Sequence, residues 1–508
     1  MIAVTRDMTQ GSPIRLLLTF SFPLLIGNLF QQFYNMADTI IVGRTLGVNA
    51  LAAVGATGSI MFLVLGFAQG LAGGLAVITA QRFGAQDAAE VRRSFTTSIL
   101  LSAGFTLLLT AVSLLAARPL LEGMNTPADI IDDAYRYLSV IFAGIFASLF
   151  FNLLSSVIRA LGDSRTPLFF LIIASVCNVV LDIVFIVNFG MGVAGAAWAT
   201  VIAQVLSGLL CLLYIFRRFA ILRLHREDWA WRGRFAWEHL RIATPMAFQF
   251  CIIAVGSIVV QGVLNGFGST TVAAFTAASK IDQLATQPLA SIGVAIATFS
   301  AQNYGAGKYR RIRDGVRKST LLSLAFSLAG AGLVIGLGHP LVRLFVGEAD
   351  PTVFTQAQTY LNLVSVFYFL LGCVFVYRNT IQGMGRAMVP MAAGVFELVM
   401  RVAAALVLAR FIGYAGVCLA SPLAWLGSCA LIVPTYLATL RPPPPGGALP
   451  RRGDGRRKMR KRAGPIWVQP LFTAPWQRCR SSPPTDGART GSRPRRNPGR
   501  RAGLSPGA

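Results

Sequence analysis

The sequence predicts an all-α polytopic membrane protein with twelve transmembrane helices in two pseudo-symmetric six-helix bundles and a disordered C-terminal tail. Three observations lead to this fold class. First, only 13% of the 508 residues are charged and 54% are hydrophobic, whereas a soluble protein carries about 25% charged residues. Second, long apolar segments recur along the chain. Third, the second half of the chain repeats motifs of the first. The composition excludes an ordinary soluble enzyme.

Twelve apolar segments are long enough to cross a bilayer, for which about 20 helical residues suffice. A cytoplasmic N-terminus places most Lys and Arg residues of the connecting segments on the cytoplasmic side, as the positive-inside rule requires. We therefore expect a multi-pass protein of the plasma (cytoplasmic) membrane, the cell inner membrane, with both termini in the cytoplasm. The predicted spans are 14–42, 51–79, 94–117, 133–157, 167–189, 194–216, 240–265, 272–300, 318–338, 354–377, 389–410 and 415–439.

Two related hexapeptides mark an internal repeat. AQRFGA (80–85) and AQNYGA (301–306) occupy equivalent places in the two halves, and both open a basic inward loop. Since six spans is an even number, both halves have the same orientation, related by an axis along the membrane normal and with a substrate cavity between them. The predicted domains are an N-terminal bundle (1–216), a cytoplasmic linker (217–239) that forms an amphipathic surface helix, a C-terminal bundle (240–440) and the tail (441–508).

The tail accounts for much of the net charge of +26. Residues 441–508 hold 17 Lys and Arg against two acids, in a context rich in Pro and Gly. Such a composition cannot bury a core and predicts disorder. A solvated or aberrant extension is the first interpretation, attraction to anionic lipid head groups the second. The sequence therefore predicts a lipid bilayer as a partner and no nucleic acid.

Six charged residues lie in the interior of predicted spans, at least four residues from either end, where a charge costs roughly 3 kcal/mol on insertion scales. They must be paired, protonated or in contact with water, and a functional role is the default explanation. These residues are Asp38, Asp182, Lys280, Asp282, Glu397 and Arg401.

The first bundle contains the clearer polar cluster. Helical spacing places Asn28, Gln31, Asn35 and Asp38 on one face of span 1, with Asn178 and Asp182 on span 5 and Thr200 and Gln204 on span 6. The direction of each span brings Asp38, Asn178, Asp182 and Thr200 to one depth in the outer half of the bilayer. Two carboxylates with amide and hydroxyl neighbours predict a site for a hard cation or a proton. The alternative is that each Asp caps a helix end or binds backbone at a kink.

The second bundle carries four charges that sum to zero. Lys280 and Asp282 lie on span 8, while Glu397 and Arg401 lie one turn apart on span 11 and can pair along the helix. A static salt-bridge cluster and a role in gating or substrate contact are both open interpretations. No structural metal site and no cofactor is expected.

Several motifs in this order resemble the multidrug and toxic compound extrusion (MATE) transporters of bacteria, in their DinF-like branch. They are GNLFQQFYNMADTIIVGR (27–44), ALAAVG (50–55), AQRFGAQ (80–86), RALGDSRTP (159–167), NVVLD (178–182) and GMGVAGAAWATVIAQ (190–204). The resemblance covers about residues 10–440, and the tail matches nothing in the family.

The resemblance implies a non-enzymatic secondary antiporter that exports cationic or amphipathic organic compounds in exchange for protons or sodium by alternating access. In that branch an Asp of span 1, an Asn-x-x-x-Asp of span 5 and a Thr of span 6 form the coupling site, which match Asp38, Asn178, Asp182 and Thr200. The sodium-coupled branch similar to NorM uses acids of spans 7 and 10, which this chain lacks there. The expected protein is a monomer.

Three further interpretations concern the substrate, the energy source and the alternative function. Tyr34, with Gln31, Asn35 and Gln204, is a candidate for substrate contact, because an aromatic ring attracts organic cations. The chain has no GxxxxGK[ST] loop, which excludes direct ATP drive. A lipid-linked saccharide flippase of the same superfamily is the alternative function.

Overall fold

The computed structural model describes residues 7–124, 126–346 and 351–439. The predicted disorder of the tail (441–508) therefore concerns residues outside the described part of the chain. In the described ranges the secondary structure is helical, without a strand. The lipid around a membrane-spanning segment offers no hydrogen-bond partner. The backbone N–H groups therefore bond to carbonyls of the same segment, which favours helices.

The helices of the first half begin at Pro13, whose fixed φ suits the first turn of a helix. They are α1 (Pro13–Leu46), α2 (Val48–Gly84), α3 (Ala88–Gly123), α4 (Ile131–Ala143), α5 (Ile145–Ala160), α6 (Arg165–Ile183) and α7 (Val193–Arg218). The helices of the second half are α8 (Gly233–Asn265), α9 (Ser269–Gly305), α10 (Tyr309–Val346), α11 (Pro351–Ser365), α12 (Tyr368–Gly383), α13 (Met388–Ala403), α14 (Ala409–Ile412), α15 (Tyr414–Cys418) and α16 (Ala420–Thr439).

Ten helical segments of the described chain are long and apolar enough to cross a membrane, and two bent pairs raise the number to twelve. The pairs are α4 with α5, bent by 46°, and α11 with α12, bent by 49°. At Gly144, between α4 and α5, a β-carbon would collide with the side chain of Val201. The polytopic helical fold is thus confirmed, whereas the fourth and tenth predicted spans are each broken rather than continuous.

The internal repeat recurs in the helix pattern. Helices α2 and α9 both have 37 residues, and each half has one π-helical segment, Val184–Asn188 or Ala404–Leu408. A glycine with φ of +60° follows each π segment, Gly192 in the first half and Gly413 in the second. This left-handed conformation is one that glycine adopts without a steric penalty. The division into domains 1–216 and 240–440 remains a prediction.

The linker between the halves differs from its prediction. Helix α7 continues to Arg218 and α8 begins at Gly233, so no surface helix spans 217–239. Two short 3₁₀ segments lie between them, Ala220–Leu222 and Arg226–Trp229. The apolar residues Phe219 and Leu222 of this segment are buried against the first half. Turns that pack on α3 bury these two side chains, so the linker covers them without forming a helix.

Asp228 fixes this linker to α3. Its carboxylate accepts hydrogen bonds from Arg92 Nε at 3.1 Å and from the backbone N–H of His225 at 2.9 Å. Its carbonyl accepts from the Thr96 hydroxyl at 2.6 Å. Burial alone would raise the pKa of Asp228, but the His225 N–H and the Arg92 guanidinium outweigh burial and hold this pKa below its ordinary value.

Replacing Asp228 with Asn is expected to lower the free energy of unfolding by about 1–3 kcal/mol at neutral pH, because Arg92 loses its charged partner. A carboxyl with a lowered pKa stabilises the folded state above its unfolded pKa of about 3.9. The difference in the free energy of unfolding between wild type and variant should therefore disappear as the pH falls below about 4. Thermal unfolding of the detergent-solubilised protein measures it. Asp132→Asn, whose ion pair with Arg118 is exposed, is the control and should show no such difference.

The two halves meet through α2 and α8, at glycines. A β-carbon on Gly70 would lie 2.6 Å from the Met246 carbonyl oxygen, and one on Gly74 would collide with the Ala243 backbone. Farther along the same helices, Gly58 and Gly262 have no heavy atom within 4 Å of such a β-carbon. The halves therefore contact one another near the loops that follow α2 and α9, and they diverge toward the opposite end.

A reciprocal pair of hydrogen bonds closes the contacting end. Gln81 of the first hexapeptide donates to the carbonyl of Gly383 at 2.8 Å. Gln302, at the equivalent place of the second hexapeptide, donates to the carbonyl of Ala160 at 2.8 Å. We call these two bonds the glutamine clasp. Each of the two repeated hexapeptides thus donates one hydrogen bond to the other half.

Candidate functional site

Four predicted residues of the first half come together on α1, α6 and α7. Asn178 and Asp182 are fully buried, with no exposed surface. Thr200 Oγ1 lies 3.4 Å from Asn178 Nδ2, which donates to it, and 3.2 Å from the Tyr34 hydroxyl. Asp38 and Asp182 face each other within the reach of a side-chain hydrogen bond. The predicted convergence of Asp38, Asn178, Asp182 and Thr200 is therefore present, whereas their function remains a prediction.

Most carboxyl oxygens of this pair have no hydrogen-bond donor. Both oxygens of Asp182 and Oδ1 of Asp38 are buried without a partner, as is Oδ1 of Asn178. A carboxylate only accepts hydrogen bonds, so the two carboxyl groups can bond to each other only when one holds a proton. Unsatisfied buried oxygens are costly, and a proton or a cation between them would remove that cost. The π-helical segment Val184–Asn188 begins directly after α6, and such segments are frequent at functional sites.

Tyr137 lies beside the two carboxyl groups as well, although no sequence pattern singled it out. This tyrosine of α4 is 3% exposed and interacts electrostatically with Asp38, Tyr34 and Asp182. It lies near the start of the predicted span 133–157, where Asp133, Tyr135 and Arg136 are also polar, so the local pattern did not distinguish it from other residues at a span end. Its position places a second phenol beside the two carboxyl groups.

The polar stripe of α1 divides between two environments. Asn28 and Gln31 line a cavity between the halves, and Asn28 donates to the Ser291 hydroxyl of α9 at 3.3 Å. Asn35 is exposed and accepts from Gln31 at 3.4 Å. Gln204 of α7 is half-buried. Of the candidate substrate contacts, Gln31 faces that cavity and Tyr34 contacts the carboxylate site.

The four predicted charges of the second half do not form one cluster. Lys280 is exposed and has no ion pair in the described part of the chain. Asp282 instead faces the hydroxyl of Tyr368 on α12. Glu397 and Arg401 pair along α13 at 3.1 Å, as their spacing predicts. The spacing within one helix was predictable, whereas the facing of different helices was not.

Arg378 is the charged partner that sequence reasoning missed. It lies within α12, 7% exposed, and its Nη1 is 3.6 Å from Oε2 of Glu397. The amide of Gln249, turned with its oxygen toward Arg378, accepts from Nη1 at 2.7 Å and from Nε at 3.2 Å. The predicted span 10 ended at residue 377, which assigned Arg378 to a loop. A span one turn longer would have revealed a seventh ionisable residue within the membrane segments.

Two cavities adjoin α1. One, of about 580 Å³, lies beside α1 and α6. The other, of about 460 Å³, lies between α2, α8, α9 and α12, and we call it the central cavity. Volumes of this size suit small organic molecules. Among the described residues, no group of three or more His, Cys, Asp or Glu side chains could hold a metal ion.

Comparisons with known proteins find the same family model in both halves of the chain. The MatE family model matches residues 23–184 and 245–407, once in each half. The probable multidrug resistance protein YpnP of Bacillus subtilis is 30% identical over 387 residues, which cover 75% of this chain and 84% of YpnP. The FAD transporter of Shewanella oneidensis is 26% identical over 428 residues, covering 81% and 92% of the two chains.

A solved structure shares the fold. It is an outward-facing multidrug resistance MATE transporter of the MOP superfamily, with a TM-score of 0.81 and 23% identity over 87% of this chain and 98% of that one. The family match covers more than half of the chain. The chain therefore belongs to the MATE (MatE) family of multi-pass multidrug transporters, which are transporters and not enzymes.

Proposed function

We propose that this chain is a secondary active antiporter that exports cationic or amphipathic organic compounds across the cytoplasmic membrane in exchange for protons or sodium. One observation carries the proposal. Asp38 and Asp182 face each other, and three of their four oxygens are buried without a donor. Two ionised carboxyl groups at such a distance repel each other, which a proton or a sodium ion between them relieves.

The neighbouring groups suit either coupling ion. Oxygens of Asn178 and Thr200 adjoin the carboxyl pair, and hard cations prefer such oxygen ligands. A proton needs only the two carboxyl groups. Transport driven by a proton gradient or by a sodium gradient therefore distinguishes the two coupling ions.

The packing of the halves supports alternating access. They contact each other at the end closed by the glutamine clasp and diverge at the other end. The predicted orientation makes the closed end cytoplasmic, so that the described conformation is open to the outside. Ion uptake at Asp38 and Asp182 would then change the shape of α1, whose middle lines the central cavity at Asn28 and Gln31, and drive the halves to the opposite opening.

The curated relatives support a drug or metabolite cargo. YpnP is named for multidrug resistance, and the Shewanella relative for FAD transport. Neither name favours the lipid-linked saccharide flippase that the sequence left as an alternative.

Everted membrane vesicles test the proposal. A fluorescent cationic dye such as rhodamine 123 is added outside, and a proton gradient or a sodium gradient is imposed in turn. We expect dye accumulation driven by one of the two gradients and abolished by the ionophore that collapses it. Vesicles without the protein are the control. Accumulation that needs ATP but no ion gradient would contradict the proposed antiport.

A further inference from the structure

The central cavity has a polar lining without a carboxylate. Its polar side chains are amides contributed by both halves, the hydroxyls of Ser156 and Thr298, and two arginines, Arg159 of α5 and Arg378 of α12. No Asp or Glu belongs to this lining in the described ranges. The coupling residues Asp38 and Asp182 do not line it either. The cavity is therefore chemically distinct from the acidic site in the first half.

Arg159 has no acidic partner. Its guanidinium donates to the hydroxyls of Ser155 and Ser156, the latter at 2.8 Å. None of the ion pairs between described residues includes it. Hydroxyl groups satisfy its N–H donors but do not neutralise its charge, so the arginine leaves one positive charge at the cavity wall.

Arg378 leaves a second positive charge. It shares Glu397 with Arg401, so that two guanidinium groups stand against a single carboxylate. The pair Arg378–Glu397 is also the longer of the two, at 3.6 Å against 3.1 Å. Because Arg378 lines the cavity and Glu397 does not, the surplus charge of this group faces the cavity.

The rest of the wall suits the apolar part of a ligand. Phe250 and Met246 of α8 and Phe375 of α12 belong to the lining. The Arg378 guanidinium lies over the Phe375 ring at 5.7 Å from its centre. A flat aromatic ligand can pack against these side chains while an anionic group reaches the arginines, which bind carboxylate or phosphate through two parallel N–H donors.

We propose that the central cavity binds amphipathic organic anions by a carboxylate or phosphate group held between Arg159 and Arg378. This inference rests on the proposed export function and names a substrate class for it. Since the coupling carboxyl groups lie elsewhere, an anionic cargo would not compete with the coupling ion for the same atoms. The transporter would thus carry anionic or zwitterionic compounds, beside or in place of cations.

Two xanthene dyes of similar size and opposite charge test the proposal. Fluorescein and rhodamine 123 are titrated with the detergent-solubilised full chain, and binding is followed by fluorescence anisotropy. We expect Arg159→Gln and Arg378→Gln each to weaken fluorescein binding about tenfold or more, since each removes a charge-assisted hydrogen bond. Rhodamine binding should stay the same or strengthen. Arg159→Lys, which keeps the charge, should retain most of the fluorescein affinity.

Arg217→Gln is the matched control, because Arg217 is an exposed arginine at the end of α7 and should leave both affinities unchanged. Fluorescein binding that is insensitive to both cavity variants would overturn the proposal, as would an equal loss of rhodamine binding. If micellar phosphatidylglycerol displaces fluorescein at a lower concentration than benzoate does, the arginines bind a lipid head group. That result would overturn the proposal that they bind an organic anion as cargo.

The binding readout is independent of transport. If the arginine dependence is found but no ion gradient drives any dye, the proposed antiport fails and the anion site stands. If a gradient drives rhodamine export while fluorescein binding ignores both arginines, the antiport stands and the anion site fails.

Discussion

Replacing Asp38 or Asp182 with Asn is expected to reduce gradient-driven dye export to the level of vesicles that lack the protein. Asn has nearly the shape of Asp but cannot hold a titrating proton or supply a negative charge to a cation. With either carboxyl group removed, the remaining one loses the like-charge partner whose repulsion the coupling ion relieves. The ion would then no longer change the free-energy difference between the two conformations, and a ligand without such a difference shifts nothing.

The same variants should fold normally. Removing one of two facing buried charges lowers a desolvation cost, so the thermal unfolding midpoint should be unchanged or raised. Asp314→Asn is a suitable control, because Asp314 is an exposed acid of α10 paired with Lys318. Export is measured in everted vesicles at matched protein levels. Normal export by Asp38→Asn or by Asp182→Asn would remove the pair from the coupling mechanism.

The second large effect is expected at the closed end. Gly84 and Gly305 are the last residues of α2 and α9, and a β-carbon on either would collide with the carbonyl oxygen of the glutamine in the other half, Gln302 or Gln81. A collision with backbone cannot be relieved by turning a side chain. Gly84→Ala and Gly305→Ala should therefore destabilise the described conformation by about 1–3 kcal/mol, which shifts the equilibrium between the two conformations about 5–150-fold.

Transport should fall accordingly, because the cycle needs both conformations. A thiol reagent that cannot cross the membrane, with a cysteine placed at Ala297 in the central cavity of a chain without other cysteines, reports which end is open. We expect faster labelling from the cytoplasmic side in both alanine variants. Gly58→Ala and Gly262→Ala serve as controls, since nothing lies within 4 Å of their added β-carbons. Unchanged labelling in Gly84→Ala would show that the closed end tolerates the methyl group.

The convergence of Asp38, Asn178, Asp182 and Thr200 was predictable because its signal is local. Asn178 and Asp182 share one helix face, and the direction of the spans set the depth of Asp38 and Thr200. Tyr137 was not singled out because it lies at the start of the predicted fourth span beside Tyr135 and Arg136, where a tyrosine is typical of the membrane interface. Its role depends on how α4 bends at Gly144, which only the packed structure determines.

The second half was harder to predict for the same physical reason. The pairing of Glu397 with Arg401 follows from helical spacing, but the separation of Lys280 and Asp282 from that pair depends on how α9 faces α13. The linker does not form the expected surface helix, since its apolar residues Phe219 and Leu222 are buried by turns that pack on α3. Residue spacing along one helix therefore predicts contacts within that helix, whereas contacts between different helices depend on packing that the spacing does not determine.

The glutamine clasp has a consequence for the origin of the chain. A half-turn about the axis between the halves exchanges its two bonds, from Gln81 to Gly383 and from Gln302 to Ala160. Each half thus supplies one donor and one acceptor. A shorter ancestor with only six spans could have made this closure with a second, identical copy of itself. Fusion of two such genes would have kept the joint and freed the rest of each copy to specialise, so that the carboxyl pair Asp38 and Asp182 could arise in one half alone.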